Sequence, residues 1–324
     1  MQVMLISVNN PNPKDHNQAE WLVINNNQEK IIPVSDPEKA DIIVFIASNY
    51  RDPYFRKVIN HPLYKKYHRK SVLYHEADRS ITVMPTLSPS VERWQFNSKN
   101  KWGFHYIAKI NSNEFIDSSP VNFKTDRSFL YSFMGSRTHR IRHQIISLCH
   151  PKDVFIKDTT GTNAWTLNSS QKIAYKKEFY EVMTESYFVL APRGIGASSL
   201  RLFEAMQMGR VPVILSDQWV KIPEIPWEKF SITIRESEIN TMIDILKERR
   251  NESVEMGKTA RYYWEQFFSP EVSLYRIAAA GKEILRTEYG LIDKFKDYSQ
   301  FIRSPWHMKN LLRYIIKIKM NFER

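Results

Sequence analysis

The chain has 324 residues, too many for one ordinary α/β core and comfortable for two of about 150 each. A hydrophobic fraction of 42% and an aromatic fraction of 13% exclude a disordered or low-complexity chain. The lone cysteine, Cys149, excludes an intrachain disulfide and a cysteine zinc site, and 47 Lys and Arg against 35 acids give a net charge of +12 that attracts phosphates, whether in nucleic acid, anionic lipid or a small phosphorylated substrate.

The first run, Gln2 to Val8, reads as a β-strand ending in the Asn/Pro-rich turn Asn9 to Pro13. It is too short to span a membrane and lacks the basic start and cleavage site of a signal peptide. The lone cysteine and the lack of a signal point to a cytoplasmic protein. The continuous apolar run Ile42 to Ala47 reads as a buried parallel strand, Ser71 to His75 as a third, and Thr82 to Pro85 as a fourth. Asp52 to Lys66 reads as helical, interrupted by Pro53 and Pro62. Residues 85–125, rich in Pro, Ser and Asn, read as irregular chain with edge strands that close a first domain, 1–125.

A second unit, 126–275, opens with the strand Ser128 to Gly135 and a helix from Arg137 to Cys149. Val154 to Ile156 is a strand, Tyr175 to Ser186 a helix, and Tyr187 to Ala191 a strand stopped by Pro192. Ser199 to Met208 follows as a helix ended by Gly209, in the position of a C-terminal cap, and Val211 to Leu215 completes a βαβ unit. Residues 237–250 and 252–267 read as two further helices, and 276–324 as helices that cross back to the first domain or form a tail.

The chemistry concentrates after the strand at 187–191. Pro192-Arg193-Gly194-Ile195-Gly196-Ala197-Ser198-Ser199 is a glycine-rich loop at the C-terminal end of a strand, opening a helix whose positive end favours a phosphate. The helix is apolar nearly all round, yet carries Arg201 and Glu204 three residues apart on one face. Two readings are open there: an internal ion pair, or a pocket in which Arg201 meets a diphosphate and Glu204 accepts hydrogen bonds from a ribose. The loop lacks the third glycine of the dinucleotide fingerprint, which disfavours a dehydrogenase.

The run Tyr180-x-x-Met183-x-x-Ser186-x-Phe188-x-Leu190-x-Pro192-Arg193-Gly194, then Ser199-x-Arg201-x-x-Glu204-Ala205, then Gly209-x-Val211-Pro212-Val213-Ile214 and Asp217-x-Trp219, resembles the exostosin family of glycosyltransferases. Phe133-x-Gly135 and Arg140 match the start of that family's nucleotide-binding domain, so the resemblance covers roughly residues 128 to 235. It implies a GT-B-like fold, two Rossmann-like α/β domains facing a cleft. The C-terminal domain would hold a nucleoside-diphosphate sugar, most often a UDP-sugar, and the N-terminal one a glycan or lipid-linked acceptor. Members are typically metal-independent, need no cofactor and mostly invert the anomeric centre. Animal and plant members carry a membrane anchor, and this sequence shows none. That departure points to a bacterial-type enzyme of surface polysaccharide synthesis, with a non-catalytic glycan-binding protein on the same fold as the alternative.

On this reading Gly135, Arg137, Arg140, Arg193, Gly194, Ser198, Ser199, Arg201 and Glu204 form the donor site, the arginines meeting the charge of the departing diphosphate. A base for the acceptor hydroxyl comes from His75, Glu76 or Asp78, with the choice open. Asp217 and Trp219 line the pocket or belong to the core. His139 and His143 have helical metal-ligand spacing, but Arg137, Arg140 and Arg142 crowd them, so no metal site is expected. The charge carries no nucleic-acid signature. From Arg303 to Arg324 there are six basic residues and one acid among Trp306, Leu311, Leu312, Tyr314, Ile315, Ile316 and Ile318. That tail suits an anionic membrane surface at the inner face of the membrane, or a helix covering the first domain.

Overall fold

The computed structural model describes residues 1–8, 18–107, 113–162, 168–303, 305–309 and 312. The turn expected at Asn9 to Pro13, and Leu311, Tyr314, Ile315, Ile316 and Ile318 of the tail, lie outside the described residues.

Two parallel sheets are built to one plan. In the first, β1 (Gln2–Val8) lies between β2 (Ile32–Pro33) and β3 (Ile42–Ala47), and β4 (Ser71–Tyr74), β5 (Thr86–Ser88) and β6 (Lys101–Gly103) extend outward from β3. In the second, β7 (Phe129–Gly135) lies between β8 (Val154–Asp158) and β9 (Ser186–Pro192), with β10 (Val211–Leu215) and β11 (Ile232–Thr233) beyond β9. Every ladder between neighbours is parallel. The chain therefore reverses its direction of sheet growth between β1 and β3, and again between β7 and β9. Such switch points open a crevice beyond the strand ends. The continuous apolar runs are explained by burial on both faces: all six residues of β3 and all seven of β9 are buried.

The fourth strand lies just after the expected Thr82 to Pro85. Pro85 offers its carbonyl to Leu73 N–H at 2.8 Å but has no N–H of its own, so the regular ladder begins at Thr86. The helical stretch around Pro53 and Pro62 divides as expected, into α2 (Arg56–Ile59) and α3 (Pro62–Tyr67). Other helices add to the sequence reading. The first, α1 (Gln18–Asn25), precedes β2 and has no counterpart there, and α4 (Glu114–Ser118) closes the first half. Between β7 and β8 runs α5 (Arg140–Ser147). Then α6 (Ser169–Thr184) starts six residues ahead of the expected Tyr175, because Asn168 and Gln171 form a reciprocal capping box.

After β9 comes α7 (Leu200–Gln207), buried through Leu202, Phe203, Ala205 and Met206. Gly209 follows it with φ +64°, the left-handed cap expected from the sequence. The helices α8 (Met242–Glu248) and α9 (Ser253–Phe267) complete the second unit. The chain then returns. Helix α10 (Pro270–Leu285) puts Leu274, Ile277, Ala278 and Ile284 into the core of the first sheet. The crossing comes at Ser269–Pro270, ahead of the division at 275 drawn from sequence. Gly281 makes the approach possible, since a Cβ there would lie 2.6 Å from Ile42 Cδ1 and 2.9 Å from Val72 Cγ1. Helix α11 (Leu291–Arg303) also lies on the first unit, through a buried Lys101–Asp297 ion pair at 3.1 Å.

Candidate active site

The crevice at the β7/β9 switch point is a cavity of about 530 Å³. Its floor is the loop Gly194 to Ser199 and the first turns of α7, and its walls are Thr138 and Arg142 on one side and Lys172, Tyr175, Lys176 and Phe179 of α6 on another. The first unit closes it with Asp78, beyond β4, and Tyr106, beyond β6. Glu204 stands where this cavity meets a second, of about 750 Å³, that runs between α7, α9 and the start of α10 and contains Trp21, Phe203 and Trp264.

Two guanidinium groups dominate the electrostatics. Arg142 donates from Nε to the Arg193 carbonyl at 2.9 Å, from Nη2 to the Pro192 carbonyl at 3.2 Å, and from Nη1 to the Ser136 carbonyl at 3.4 Å. Arg201 donates from Nη2 to the Met134 carbonyl at 2.7 Å and lies between the Phe133 and Phe179 rings, at 5.0 and 5.4 Å. Its Nε is buried with no hydrogen-bond partner. Gly135 makes room for it, as a Cβ there would sit 3.1 Å from Arg201 Nη2. Among the described residues neither guanidinium forms an ion pair with a carboxylate. Burial, and then the charge of Arg201, pull the Arg142 pKa down to about 9, and burial lowers that of Arg201. Two desolvated like charges held by main-chain carbonyls cost folding energy unless an anion completes the site. The end of α7 adds to the field. Ser198 Oγ is buried without a partner and Ser199 caps nothing with its side chain, so the helix's positive end faces the same space.

The internal Arg201–Glu204 ion pair is not formed: Arg201 turns back to the end of β7. Glu204 is pushed up to about 7, chiefly by burial, against the pull of Arg201. Its carboxylate is left as a hydrogen-bond acceptor at the cavity junction.

The expected donor arginines separate. Arg193 and Gly194 both follow the end of β9, and only Gly194 borders the cavity. Arg193 is buried and reaches across to Glu92 of the first unit in an ion pair, away from the cavity that Gly194 lines. Arg137 is held by Asp158 at 2.6 Å, and hydrogen bonds from Thr160 and then from Arg137 draw the Asp158 carboxyl down to about 2. Arg140 is exposed in the first turn of α5 and lines neither cavity. The arginine that does line the cavity on α5 is Arg142, two residues on, which in sequence stands out only as a neighbour of the histidines. Lys172, Tyr175 and Lys176 are further residues that sequence reasoning misses. The capping box, which extends α6 ahead of Tyr175, is the signal for Lys172, while Tyr175 and Lys176 open the helix expected from sequence.

The three base candidates separate too. His75 is buried against Phe55, accepts from Ala77 N–H at 3.1 Å, and is driven down to about 3 by burial. Glu76 accepts from Tyr74 Oη at 2.6 Å and from Ile107 N–H, a structural tie between two strand ends. Asp78 alone enters the cavity. It accepts from Ser90 Oγ at 3.1 Å, and burial raises its pKa. It faces Gly196, where a Cβ would fall 1.9 Å from Asp78 Oδ1. The second glycine of the loop is thus required by a close approach between the two units.

Trp219 belongs to the core: it is edge-on to Trp227 and donates to the Pro89 carbonyl at 3.2 Å. Asp217 exchanges caps with Glu236, at 3.2 Å each way. His139 caps α5 through Nδ1, 3.3 Å from Ile141 N, and His143 is exposed. Among the described residues no group of three or more His, Cys, Asp or Glu side chains converges as a metal site.

Fold and site together define a two-domain parallel α/β protein with a cationic crevice at the second switch point. Residues 49–249 match the family described as Exostosin GT47 domain, more than half of the chain, and the chain belongs to that family. It is 28% identical over 181 residues to Exostosin-1 of Drosophila melanogaster, covering 51% of this chain and 23% of that protein. It is 23% identical over 171 residues to human Exostosin-2, covering 51% and 22%. It is 25% identical over 148 residues to a probable glucuronoxylan glucuronosyltransferase of Arabidopsis thaliana, covering 44% and 30%. The chain thus spans less than a third of the length of these relatives. Among solved structures it is similar to a glycosyltransferase from Rickettsia africae, with TM-score 0.40 and 10% identity over 89% of this chain and 99% of that one. It is similar also to TarM, with TM-score 0.40 and 15% identity over 81% and 58%.

Proposed function

We propose that this chain is a glycosyltransferase that binds a nucleoside-diphosphate sugar, of the UDP type, in the β7/β9 crevice and passes the sugar to a hydroxyl of a glycan or glycolipid. The observation that carries the reading is the pair of desolvated guanidinium groups, Arg142 and Arg201, neither of which forms an ion pair with a carboxylate among the described residues. A diphosphate supplies the missing charge. Family membership supports the reaction class, and the similarity to an Arabidopsis protein named as a probable glucuronoxylan glucuronosyltransferase supports a sugar as the transferred group.

The chemistry follows from the placement of the groups. Asp78, with its pKa raised by burial, takes the proton of the acceptor hydroxyl as that oxygen attacks the anomeric carbon. The bond from that carbon to the diphosphate oxygen breaks on the opposite face, which inverts the centre. The charge that develops on the leaving diphosphate is met by Arg142, Arg201 and the end of α7. Those fixed cations do the work a metal would otherwise do, so turnover proceeds without one. Glu204 accepts from the ribose hydroxyls, and Phe179 and Tyr175 border the nucleoside. The product belongs to a surface polysaccharide.

The test is a stability screen against UDP, GDP, ADP, CMP and their sugar conjugates. A ligand at a hundred times its Kd adds about 2.7 kcal/mol. Selective stabilisation by one nucleotide supports the donor site. No stabilisation by any of them overturns it and leaves the non-catalytic reading.

A further inference from the structure

Helix α11 is inverted for a surface helix. Its polar residues Asp293, Asp297 and Gln300 are buried against the first unit, while Leu291, Phe295 and Ile302 are 83%, 75% and 66% exposed. Leu291, Phe295, Tyr298 and Ile302 recur at helical spacing and form one continuous apolar stripe on the outer face. The inversion is held by chemistry. Asp297 Oδ1 accepts from the buried Lys101 at 3.1 Å, and Oδ2 accepts from Tyr289 Oη at 2.6 Å. Asp293 accepts from Lys99 at 3.0 Å. These are both of the acids in the helix, and both are turned inward. What remains outside is apolar and basic: Lys294, Lys296 and Arg303 flank the stripe, and Trp306, Met308 and Lys309 after it are exposed too.

We propose that α11 docks this chain on an anionic bilayer surface, lying in the interface with its apolar stripe among the acyl chains and its lysines at the headgroups. Charge complementarity selects that occupant. An outer face with no acid and a row of cations, on a chain of net charge +12, suits anionic lipid. Among the described residues no helix is long and apolar enough to cross a membrane, so α11 lies on the bilayer. Docking also orients the cleft. Arg303, Pro305 and Trp306 border a cavity of about 440 Å³ with Arg79 and Arg193, the chain neighbours of Asp78 and Gly194. On the transferase reading, and only there, this brings the site to an acceptor carried by lipid. The docking itself does not rest on that reading.

The experiment is co-sedimentation of the full chain with vesicles of phosphatidylcholine, with and without phosphatidylglycerol. UDP affinity is measured separately in vesicle-free solution, so that failure of the donor site and failure of docking are read apart. The chain sediments with the anionic vesicles, at least about tenfold more tightly than with neutral ones, and salt weakens it. Phe295→Ser with Ile302→Ser, both at exposed positions, weakens vesicle binding roughly a hundredfold at unchanged melting temperature. Lys294→Gln with Lys296→Gln weakens it roughly tenfold. Equal binding to both vesicle types, or to neither, overturns the proposal. So does a concentration-dependent dimer in analytical ultracentrifugation that the Phe295 and Ile302 variant dissolves, since a second copy would then cover the stripe.

Discussion

Replacing Arg201 by Met removes the charge and keeps much of the volume. In the ligand-free protein the losses are the bond to the Met134 carbonyl, the attraction of Glu204, and two ring contacts, the last about 0.5–2 kcal/mol each. The gains are relief of a desolvated cation, which costs several kcal/mol, and of its repulsion with Arg142. These offset, so the variant's unfolding free energy should lie within about 2 kcal/mol of the parent. Donor binding behaves differently. A desolvated, charge-assisted contact to phosphate contributes about 1.5–3 kcal/mol, and at the upper end its loss weakens UDP roughly a hundredfold. At a UDP concentration a hundred times the parent's Kd, the parent gains about 2.7 kcal/mol and the variant about 0.4 kcal/mol. Denaturant unfolding with and without UDP reads both quantities. If Arg201→Met keeps the full gain, the guanidinium pair is not the diphosphate site.

Asp78→Asn should lower turnover about a thousandfold with UDP affinity unchanged, whereas Glu76→Gln should lower stability first, because its carboxylate ties two strand ends; equal kinetic losses in both would remove Asp78 as the base. Glu204 is held at about 7, above its unfolded range, so the folded chain keeps a proton that the unfolded chain has lost. Its contribution to stability is full at low pH and falls as pH rises towards 7, and Glu204→Gln should flatten that slope between about pH 5 and pH 8. Asp297→Ala leaves Lys101 buried without its carboxylate, with only the Gln300 side chain to accept from it, and should cost about 3–5 kcal/mol, with α11 cut early in limited proteolysis. Chelator should leave turnover unchanged; activity lost to it and restored by a divalent cation would refute the role given to Arg142 and Arg201.

The inner strands β3, β4, β9 and β10 were legible because they are buried along their whole length and read as near-continuous apolar runs, with Pro192 and Gly209 marking ends that the structure keeps, whereas the short outer strands β2, β6 and β11 carry no such run. Parallel order followed from the alternation of strand and helix. The site was legible only along the chain. Gly194, Ser199, Arg201 and Glu204 come from one loop and the helix it opens, so their spacing carries their proximity. Arg193 sits inside that same motif yet leaves the pocket for an ion pair with Glu92, a residue of the other unit that no local pattern ties to it. Arg142 and Asp78 come from other elements, and no local pattern says that they meet there. The glycines show the same limit. Gly196 looks in sequence like part of a phosphate loop, but its lack of a side chain is required by Asp78, more than a hundred residues earlier and on the other unit. The tail gives the converse case. Its composition left open a covering helix or a membrane face, and most of it lies outside the described residues; α11, just ahead of it, covers the first unit with its acids and turns its apolar stripe outward.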